Sequence, residues 1–276
     1  MKKPFLTIAV LCTFFALMQG CKKNEQEEPG DIEIPCLPAT LKTNVVAFYP
    51  FSNGSLKDFS GNNMHLVNNT TAKAGADRNG SANCAYEFDN YPNNTESLFT
   101  GSTQLLTGLN TFSISLWYQP LDTAVQSLTA KEEDMVSFAN WRLELFDCRK
   151  ATFWMVENNT TTNKGEGYSV WDKNTLAWGT PNICQEEQKL RTGNWHHLAV
   201  TFDKANDIAK IYRDNVLQEG EGRYINDFPF TSLPNLTNLV IGSGYTGRLD
   251  DIVIFNKALS DAEIGLLFNM GTCCSE

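Results

Sequence analysis

The sequence predicts an all-β protein, a two-sheet antiparallel β-sandwich or jelly roll with one short C-terminal helix. Short apolar or alternating runs recur along the chain and are bounded by Asn, Gly, Asp and Pro, which is the pattern of strands joined by turns. Helical periodicity is scarce before the C-terminal segment, so strands do not alternate with helices. Many short strands without intervening helices are typical of sandwiches and jelly rolls.

The strand pattern occurs at residues 45–51, 84–88, 112–118, 141–146, 151–156, 197–202, 208–212, 239–241 and 249–255. Asp214 and Asn215 predict a tight hairpin turn, because Asp and Asn tolerate the positive φ that such turns require. Near the C-terminus, Ser260 and Glu263 fit a capping box that starts a helix. Apolar residues at helical spacing follow them, so this helix is expected to pack on the sandwich and end the fold.

The first twenty residues predict an export signal, since Lys2 and Lys3 precede an apolar stretch at 4–18 that is too short to span a bilayer comfortably. The following "LMQGC" resembles a bacterial lipobox, which makes Cys21 the expected lipidation site. An ordinary secretory signal with an incidental cysteine is the alternative. The expected organisation is a lipoprotein signal peptide at 1–20, a lipidated cysteine and acidic linker at 21–43, and one domain at 44–276.

Charge limits the partners of the mature chain. Loss of two lysines with the signal changes the net charge from −10 to −12. An acidic protein without a basic cluster is a poor binder of nucleic acid and of anionic lipid, so membrane contact is expected through the lipid anchor only. The acidic linker resembles a surface-display signal of Gram-negative lipoproteins, which predicts a surface-exposed outer-membrane location in the cell envelope.

Six cysteines remain after Cys12 leaves with the signal and Cys21 is lipidated, and an even number in an exported chain predicts disulfides. The candidates are Cys36, Cys84, Cys148, Cys184, Cys273 and Cys274. The ends of a compact domain are often close, so a staple is expected between Cys36 and the 273–274 pair. Cys148 and Cys184 are expected to close the middle of the chain as a loop. Zinc is the competing interpretation, but the usual ligand spacing is absent.

Four stretches together resemble the laminin-G-like branch of the concanavalin A-like lectin/glucanase superfamily. They are "VVAFYPFSNGSLKDFSGNN" at 45–63, "FSISLWYQP" at 112–120, "NWHHLAVTFD" with "IYRDNVL" at 194–217, and "GRLDDIVIFNKALSDAEI" at 247–264. The resemblance implies two packed antiparallel sheets, one of them concave. Residues 122–190 depart from it, being longer and more irregular.

Carboxylate positions argue against an enzyme. The glucanases that the chain resembles carry alternating acidic residues on one strand, and retaining hydrolysis needs two carboxyl groups about 5–5.5 Å apart. Glu144 and Asp147 are spaced so that they fall on opposite faces of a strand. Glu87 and Asp89 share a face, but the third acidic residue of the glucanase pattern is missing. The sequence therefore predicts a non-catalytic protein.

The resemblance also implies a structural calcium ion between the "DFSGNN" loop and the late acidic strand. Carried onto this sequence, the ligands are Asp58 and Asp250, with Asn63 as an addition; loops rich in Asp and Asn oxygens suit this ion. Asp251 is expected to face away from Asp250, because neighbours on a strand alternate. The alternative is that Asp58 makes an Asx-turn and Asp250 caps a loop by hydrogen bonds.

Sugar binding is expected in the middle of the chain, where flat aromatic rings are available for stacking on pyranoses. The candidate ligand-binding residues are Trp154, Tyr168, Trp171 and Trp178. A satellite cluster of rings under a long loop is the alternative.

The favoured function is a lipid-anchored, lectin-like protein that binds a polysaccharide or glycan without cleaving it. Such a module would act beside protein partners in a surface glycan-uptake complex. The alternative is a protein-interaction or structural module, and a third candidate is a glycoside hydrolase or lyase.

Overall fold

The computed structural model describes residues 36–90, 95–100, 111–121, 126–131, 141–146, 150–159, 164–171, 193–206, 208–218, 221–229 and 238–274. The predicted signal peptide, Cys21, Cys148, Cys184, Asp147 and Trp178 lie outside these residues. Within the described part, no helix has the length and hydropathy needed to cross a membrane.

Strands account for most of the described chain. In chain order they are β1 (Val45–Tyr49), β2 (Lys73–Gly75), β3 (Ala85–Asp89), β4 (Leu98–Phe99), β5 (Thr111–Pro120), β6 (Gln126–Lys131), β7 (Trp141–Phe146), β8 (Lys150–Asn159), β9 (Lys164–Trp171), β10 (His196–Asp203), β11 (Ile208–Arg213), β12 (Val216–Gln218), β13 (Glu221–Pro229), β14 (Leu239–Ile241) and β15 (Thr246–Phe255). Three short 3₁₀ helices, Ala39–Asn44, Ser52–Gly54 and Lys204–Asn206, and the helix α1 (Asp261–Phe268) complete the described elements.

The strands form two antiparallel sheets, which confirms the predicted fold class. The first sheet has the order β12-β11-β10-β5-β15-β3-β2, with β1 also paired to β15. The second has the order β13-β9-β8-β7-β6-β14-β4. Each of the segments with the strand pattern overlaps a strand, although Pro50, Phe51 and Cys84 lie outside β1 and β3. Asp214 and Asn215 take φ values of 49° and 63° in the β11–β12 turn.

The middle of the chain is more regular than the sequence indicates. Strands β6 to β9 lie within residues 122–190, and β8 pairs with β9 from Thr152 to Asn159. Gly165 and Gly167 weaken the strand signal of β9, because glycine has low β-propensity. The backbone hydrogen-bonding groups of β9 pair with β8 on one side and with β13 on the other, so the strand forms despite its local sequence.

The main core lies between the two sheets. In β5, alternate residues Phe112, Ile114, Leu116 and Tyr118 are buried in this cluster, as the period of two predicts. Strands of the second sheet contribute the side chains of Leu143, Leu145 and Phe153 to the same cluster.

A second apolar cluster covers the opposite side of the first sheet. Phe48, Val253 and Phe255 of β1 and β15 pack there with Ile264 and Leu267 of α1. Ser260 and Glu263 form the predicted capping box, with Ser260 as the N-cap of α1.

The segment before β1 belongs to this cluster as well. Leu37 and Leu41 are 3% and 1% exposed, although the sequence analysis assigns them to the linker. Burial of these two side chains extends the packed domain to the N-terminal side of residue 44.

Two disulfides fasten the C-terminal tail to distant segments. Cys36 bonds to Cys273, which is the staple that the sequence predicts between the two ends of the domain. Cys84, at the start of β3, bonds to Cys274. The adjacent cysteines therefore hold two different parts of the chain.

Candidate functional site

The second sheet has a face that turns away from the core, and β8 defines it. Ala151 and Phe153 are fully buried in the core, while Thr152 between them is partly exposed. Successive residues of a strand alternate between faces, so Thr152 marks the outward face. Arg142 and Glu144 belong to the same face, because they pair with Trp154 and Thr152 across β7 and β8.

Two of the four predicted aromatic residues share this outward face by register. Trp171 pairs with Thr152, and Trp154 pairs with Ser169. Directly paired residues of antiparallel strands lie on one face, which groups Trp154 with Trp171. Tyr168 pairs with Met155, and by register these two positions belong to the opposite face of the sheet. The structure thus separates Tyr168 from the two tryptophans.

A line of small residues runs along the outward face of β9. Gly167 pairs with Val156 on one side and with Tyr224 of β13 on the other, and Gly165 pairs in the same way with Asn158 and Asn226. Glycine has no side chain, so β9 offers only its backbone at these two positions. Tyr224 and Asn226 are not predicted from the sequence, because β13 carries no clear alternation of apolar and polar residues.

The carboxylates considered for hydrolysis lie on different sheets. Glu144 is 9% exposed on the second sheet, with its Oε2 3.8 Å from Nη1 of Arg142. Glu87 is on the first sheet, and its carboxylate accepts from Nε of Arg248 at 2.7 Å and lies 3.3 Å from Nζ of Lys73. Burial pushes the pKa of Glu87 up, but the hydrogen bonds and charges of Arg248 and Lys73 outweigh it and lower the pKa. A lowered pKa is unsuited to a general acid.

The loop at Asp58 is closed by protein donors. Oδ1 of Asp58 accepts from the backbone N–H groups of Phe48 at 3.0 Å and Ser60 at 2.8 Å. Oδ2 accepts from the Ser60 hydroxyl at 2.8 Å and the Met64 N–H at 3.0 Å. Asn63 is exposed and has a φ of 58°, which helps the chain to turn back toward Met64. These contacts tie the loop to β1.

Asp250 and Asp251 meet on one arginine. Nη1 of Arg78 donates to Oδ2 of Asp250 at 3.0 Å and to Oδ2 of Asp251 at 2.6 Å. The prediction that Asp251 faces away is wrong, because β15 has a bulge between Asp250 and Val253 and Asp251 takes a left-handed φ of 45°. Burial raises the pKa of both aspartates, and the charge of Arg78 opposes this effect.

Aromatic and imidazole rings surround this group of charges. The guanidinium of Arg78 lies 4.4 Å from the centre of the Trp117 ring, and Trp117 stacks on Phe268 at 5.8 Å. His197 pairs with Trp117 across β10 and β5 and is fully buried, with Nε2 2.9 Å from Oγ of Ser115. Burial lowers the pKa of His197 to about 3; the negative charge of Asp214 opposes this change and the positive charge of Arg78 adds to it.

Metal-binding groups are sparse in the described part of the chain. There, no three His, Cys, Asp or Glu side chains are grouped so as to hold a metal ion. The predicted ligands Asp58 and Asp250 both accept hydrogen bonds from groups of the protein. Calcium binding by these residues stays a prediction.

The two antiparallel sheets define a β-sandwich, and the sequence match names the family. The chain belongs to the concanavalin A-like lectin/glucanases superfamily, because residues 92–265 match the profile of one of its laminin G families. This confirms the family resemblance; three of the four stretches lie within the matched residues, and the stretch at 45–63 precedes them. No curated protein matches the sequence significantly.

Solved structures with a similar fold include toxin binding domains. The binding domain of Paraclostridial Mosquitocidal Protein 1 is 17% identical with a TM-score of 0.59, and the match covers 83% of this chain and 52% of that one. The binding domain of botulinum neurotoxin DC is 13% identical, both in complex with rat synaptotagmin II (TM-score 0.57) and in complex with SialylT (TM-score 0.56). Each of those two matches also covers 83% of this chain and 52% of the other. This chain therefore spans about half the length of these structures, and the likeness concerns the fold.

Proposed function

We propose that this chain is a lipid-anchored, non-catalytic carbohydrate-binding protein of the bacterial cell envelope. The observation that carries the proposal is the outward face of the second sheet. There the strand register groups Trp154, Trp171 and Tyr224 with the polar positions Arg142 and Asn226. Aromatic rings beside hydrogen-bonding groups are what a pyranose requires, since its C–H faces stack and its hydroxyls bond.

Gly165 and Gly167 support an extended ligand. They have no side chains and lie on β9 between the paired strands β8 and β13, which suits a linear polysaccharide better than a single compact sugar. Similar folds act as binding domains in the toxins, where one structure contains SialylT and another contains synaptotagmin II. Both a glycan and a protein are therefore compatible with this fold, and the aromatic grouping favours the glycan.

The surroundings of two carboxylates support the proposal that the protein does not hydrolyse glycans. Glu87 is held by Arg248 and Lys73, and Glu144 lies near Arg142 on the other sheet. A retaining glycosidase needs two carboxyl groups about 5–5.5 Å apart, one of them with a raised pKa. The lowered pKa of Glu87 does not suit the acid of such a pair.

The location is proposed from the "LMQGC" signal and the acidic linker that follows it. A lipid on Cys21 would hold the domain at the outer membrane, where it raises the effective concentration of a captured polysaccharide for neighbouring uptake proteins. Metabolic labelling with a fatty-acid analogue tests this part by itself. Labelling of the wild type and its loss in Cys21→Ser are expected, and equal labelling of both would contradict lipidation.

A glycan array with the purified full-length protein tests the binding function. Binding to a defined glycan is expected, and Trp154→Ala or Trp171→Ala should weaken it by at least about tenfold, or about 1.4 kcal/mol. Leu266→Ala is the matched control, since Leu266 is an exposed apolar residue of α1, on the first sheet's side of the sandwich. Its affinity should equal that of the wild type.

Three outcomes distinguish the candidate functions. A blank array with a normally folded protein would favour the protein-interaction module. Release of reducing ends from the bound polysaccharide would establish a hydrolase. Equal binding by the tryptophan variants and Leu266→Ala would show that the glycan binds elsewhere than on the outward face of the second sheet.

A further inference from the structure

The two aspartates to which the family resemblance assigns calcium already accept hydrogen bonds from groups of the protein. A carboxylate has about four lone-pair positions on its two oxygens. Asp58 accepts from the N–H groups of Phe48, Ser60 and Met64 at 2.8–3.0 Å. The Ser60 hydroxyl lies 2.8 Å from Oδ2 of Asp58 and 2.9 Å from the carbonyl oxygen of Val46, and its single proton bonds to one of these two oxygens. Calcium takes roughly six to eight oxygen ligands with available lone pairs. Binding at Asp58 would break hydrogen bonds that already close the loop.

Asp250 faces a permanent positive charge. The side chains of Arg78, Asp250 and Asp251 are 9%, 1% and 0% exposed, so water screens them little. Arginine keeps its charge at any physiological pH. A calcium ion placed on this pair of carboxylates would lie beside the guanidinium and be repelled by it.

Arg78 reaches this position from a tight turn at residues 77–81. Oδ1 of Asp77 accepts from the N–H groups of Asn79 and Ser81, both at 2.8 Å. The turn therefore presents Arg78 in a fixed direction, toward β15. The partners Asp250 and Asp251 are 172 and 173 residues away in the sequence.

The guanidinium also connects three parts of the fold. Besides the two aspartates of β15, Nη2 donates to the backbone oxygen of Met270 at 3.0 Å, in the tail that carries Cys273 and Cys274. The group lies over the ring of Trp117 in β5. One cation thus joins the 77–81 turn, the β15 bulge and the C-terminal tail, which is the role that a structural metal ion has elsewhere.

We infer that Arg78 is the built-in structural cation of this domain, and that the fold does not depend on calcium. The inference goes beyond the proposed glycan binding and is independent of it. It also replaces the calcium ion that the resemblance implies at Asp58 and Asp250 with a side chain of the protein itself.

The first experiment is thermal unfolding of the full-length protein with calcium chloride or with a chelator. The expected melting temperature is the same in both. Terbium chloride is a second probe, because Trp117 lies beside the carboxylates and would sensitise the luminescence of a bound terbium ion. No sensitised emission is expected from the wild type. A chelator-induced fall in melting temperature would overturn the inference, as would stoichiometric terbium emission that Asp250→Asn abolishes.

The second experiment removes the cation. Arg78→Met should lower the melting temperature by roughly 10 °C, because loss of one partner leaves buried charge unpaired. Arg248→Met is the matched control: Arg248 also bonds a carboxylate, that of Glu87 at 2.7 Å, but its side chain is 30% exposed. A shift of at most about 3 °C is expected there. Equal shifts in the two variants would contradict the special role of Arg78.

Calcium sensitivity of the variants completes the test. Without the guanidinium, Asp77, Asp250 and Asp251 form a buried acidic group with no arginine, so millimolar calcium chloride should raise the melting temperature of Arg78→Met and leave the wild type unchanged. Arg78→Lys keeps the charge but not the forked contact, and an intermediate melting temperature is expected. If Arg78→Met does not fold, the comparison of Arg78→Lys with Arg248→Lys decides, together with the wild-type chelator result. Equal melting temperatures for these two lysine variants would overturn the inference.

Discussion

The outward faces of the two sheets differ in what covers them. On the first sheet lie the 3₁₀ helix Ala39–Asn44, the helix α1 and the tail with Cys273 and Cys274, over a second apolar cluster. On the second sheet, Thr152 of the outward face is partly exposed, whereas its cross-strand partner Glu144 is 9% exposed. Both sheets share the core between them, so either could in principle take the covering layer. The packed face of the first sheet is therefore expected to contribute more to stability, and the outward face of the second sheet is where we propose that the ligand binds.

The largest expected effect comes from the covered face. Cys36→Ser with Cys273→Ser should lower the free energy of unfolding by about 2–5 kcal/mol, because the bond closes a very long loop and holds the 3₁₀ helix against α1. Denaturant unfolding under non-reducing conditions measures the change. Cys84→Ser with Cys274→Ser is the paired variant for the other bond, and dithiothreitol should destabilise the wild type at least as much as either. If the Cys36–Cys273 variant unfolds like the wild type, the tail does not stabilise the covered face.

The next largest expected effect is a dependence of the free energy of unfolding on pH, through His197. His197 is buried and neutral in the folded protein, with a pKa lowered to about 3, whereas an unfolded histidine titrates near its ordinary value of about 6.5. Between these pH values the unfolded state binds more protons than the folded state. The free energy of unfolding is therefore full above pH 6.5 and decreases as the pH falls below it. The slope from this group is about 1.4 kcal/mol per pH unit.

The measurement is the free energy of unfolding of wild type and His197→Gln from pH 7 to pH 4. The wild type should lose stability more steeply than the variant on acidification, whatever the difference at pH 7. Leu266→Ala is the control, because Leu266 is exposed and does not titrate, and its slope should match the wild type. Parallel curves for wild type and His197→Gln would show that His197 does not carry this dependence.

The smallest stability effect is expected on the outward face of the second sheet. Thr152→Lys changes a partly exposed position paired with Glu144 and Trp171, so the free energy of unfolding should stay within about 0.5 kcal/mol of the wild type. Glycan binding should fall sharply, since a long charged side chain then occupies the middle of the proposed site. A large loss of stability would show instead that this face is packed rather than available.

The sequence predicted the strands of the first sheet better than those of the second. From Phe112 to Tyr118 apolar core residues alternate with other residues, and the structure places the even-numbered positions in the core between the sheets. In β9 and β13, Gly165, Gly167 and Gly222 interrupt the pattern, and these strands form because neighbours supply their hydrogen bonds. The tryptophans Trp154 and Trp171 were recognised as candidate ligand residues, but their shared face depends on the register between β8 and β9.

The sequence by itself determined the local features of this protein. Alternation in the β5 segment encodes a strand, Asp214 and Asn215 encode a tight turn, and Ser260 with Glu263 encodes a helix start, because each depends on neighbours a few residues away. The tertiary structure decided the position of Arg78 between Asp250 and Asp251. A β-bulge turns both carboxylates to one side, and chain topology carries the arginine to them from more than 170 residues away. Contacts at that separation depend on how strands pair across the whole chain, which local patterns do not specify.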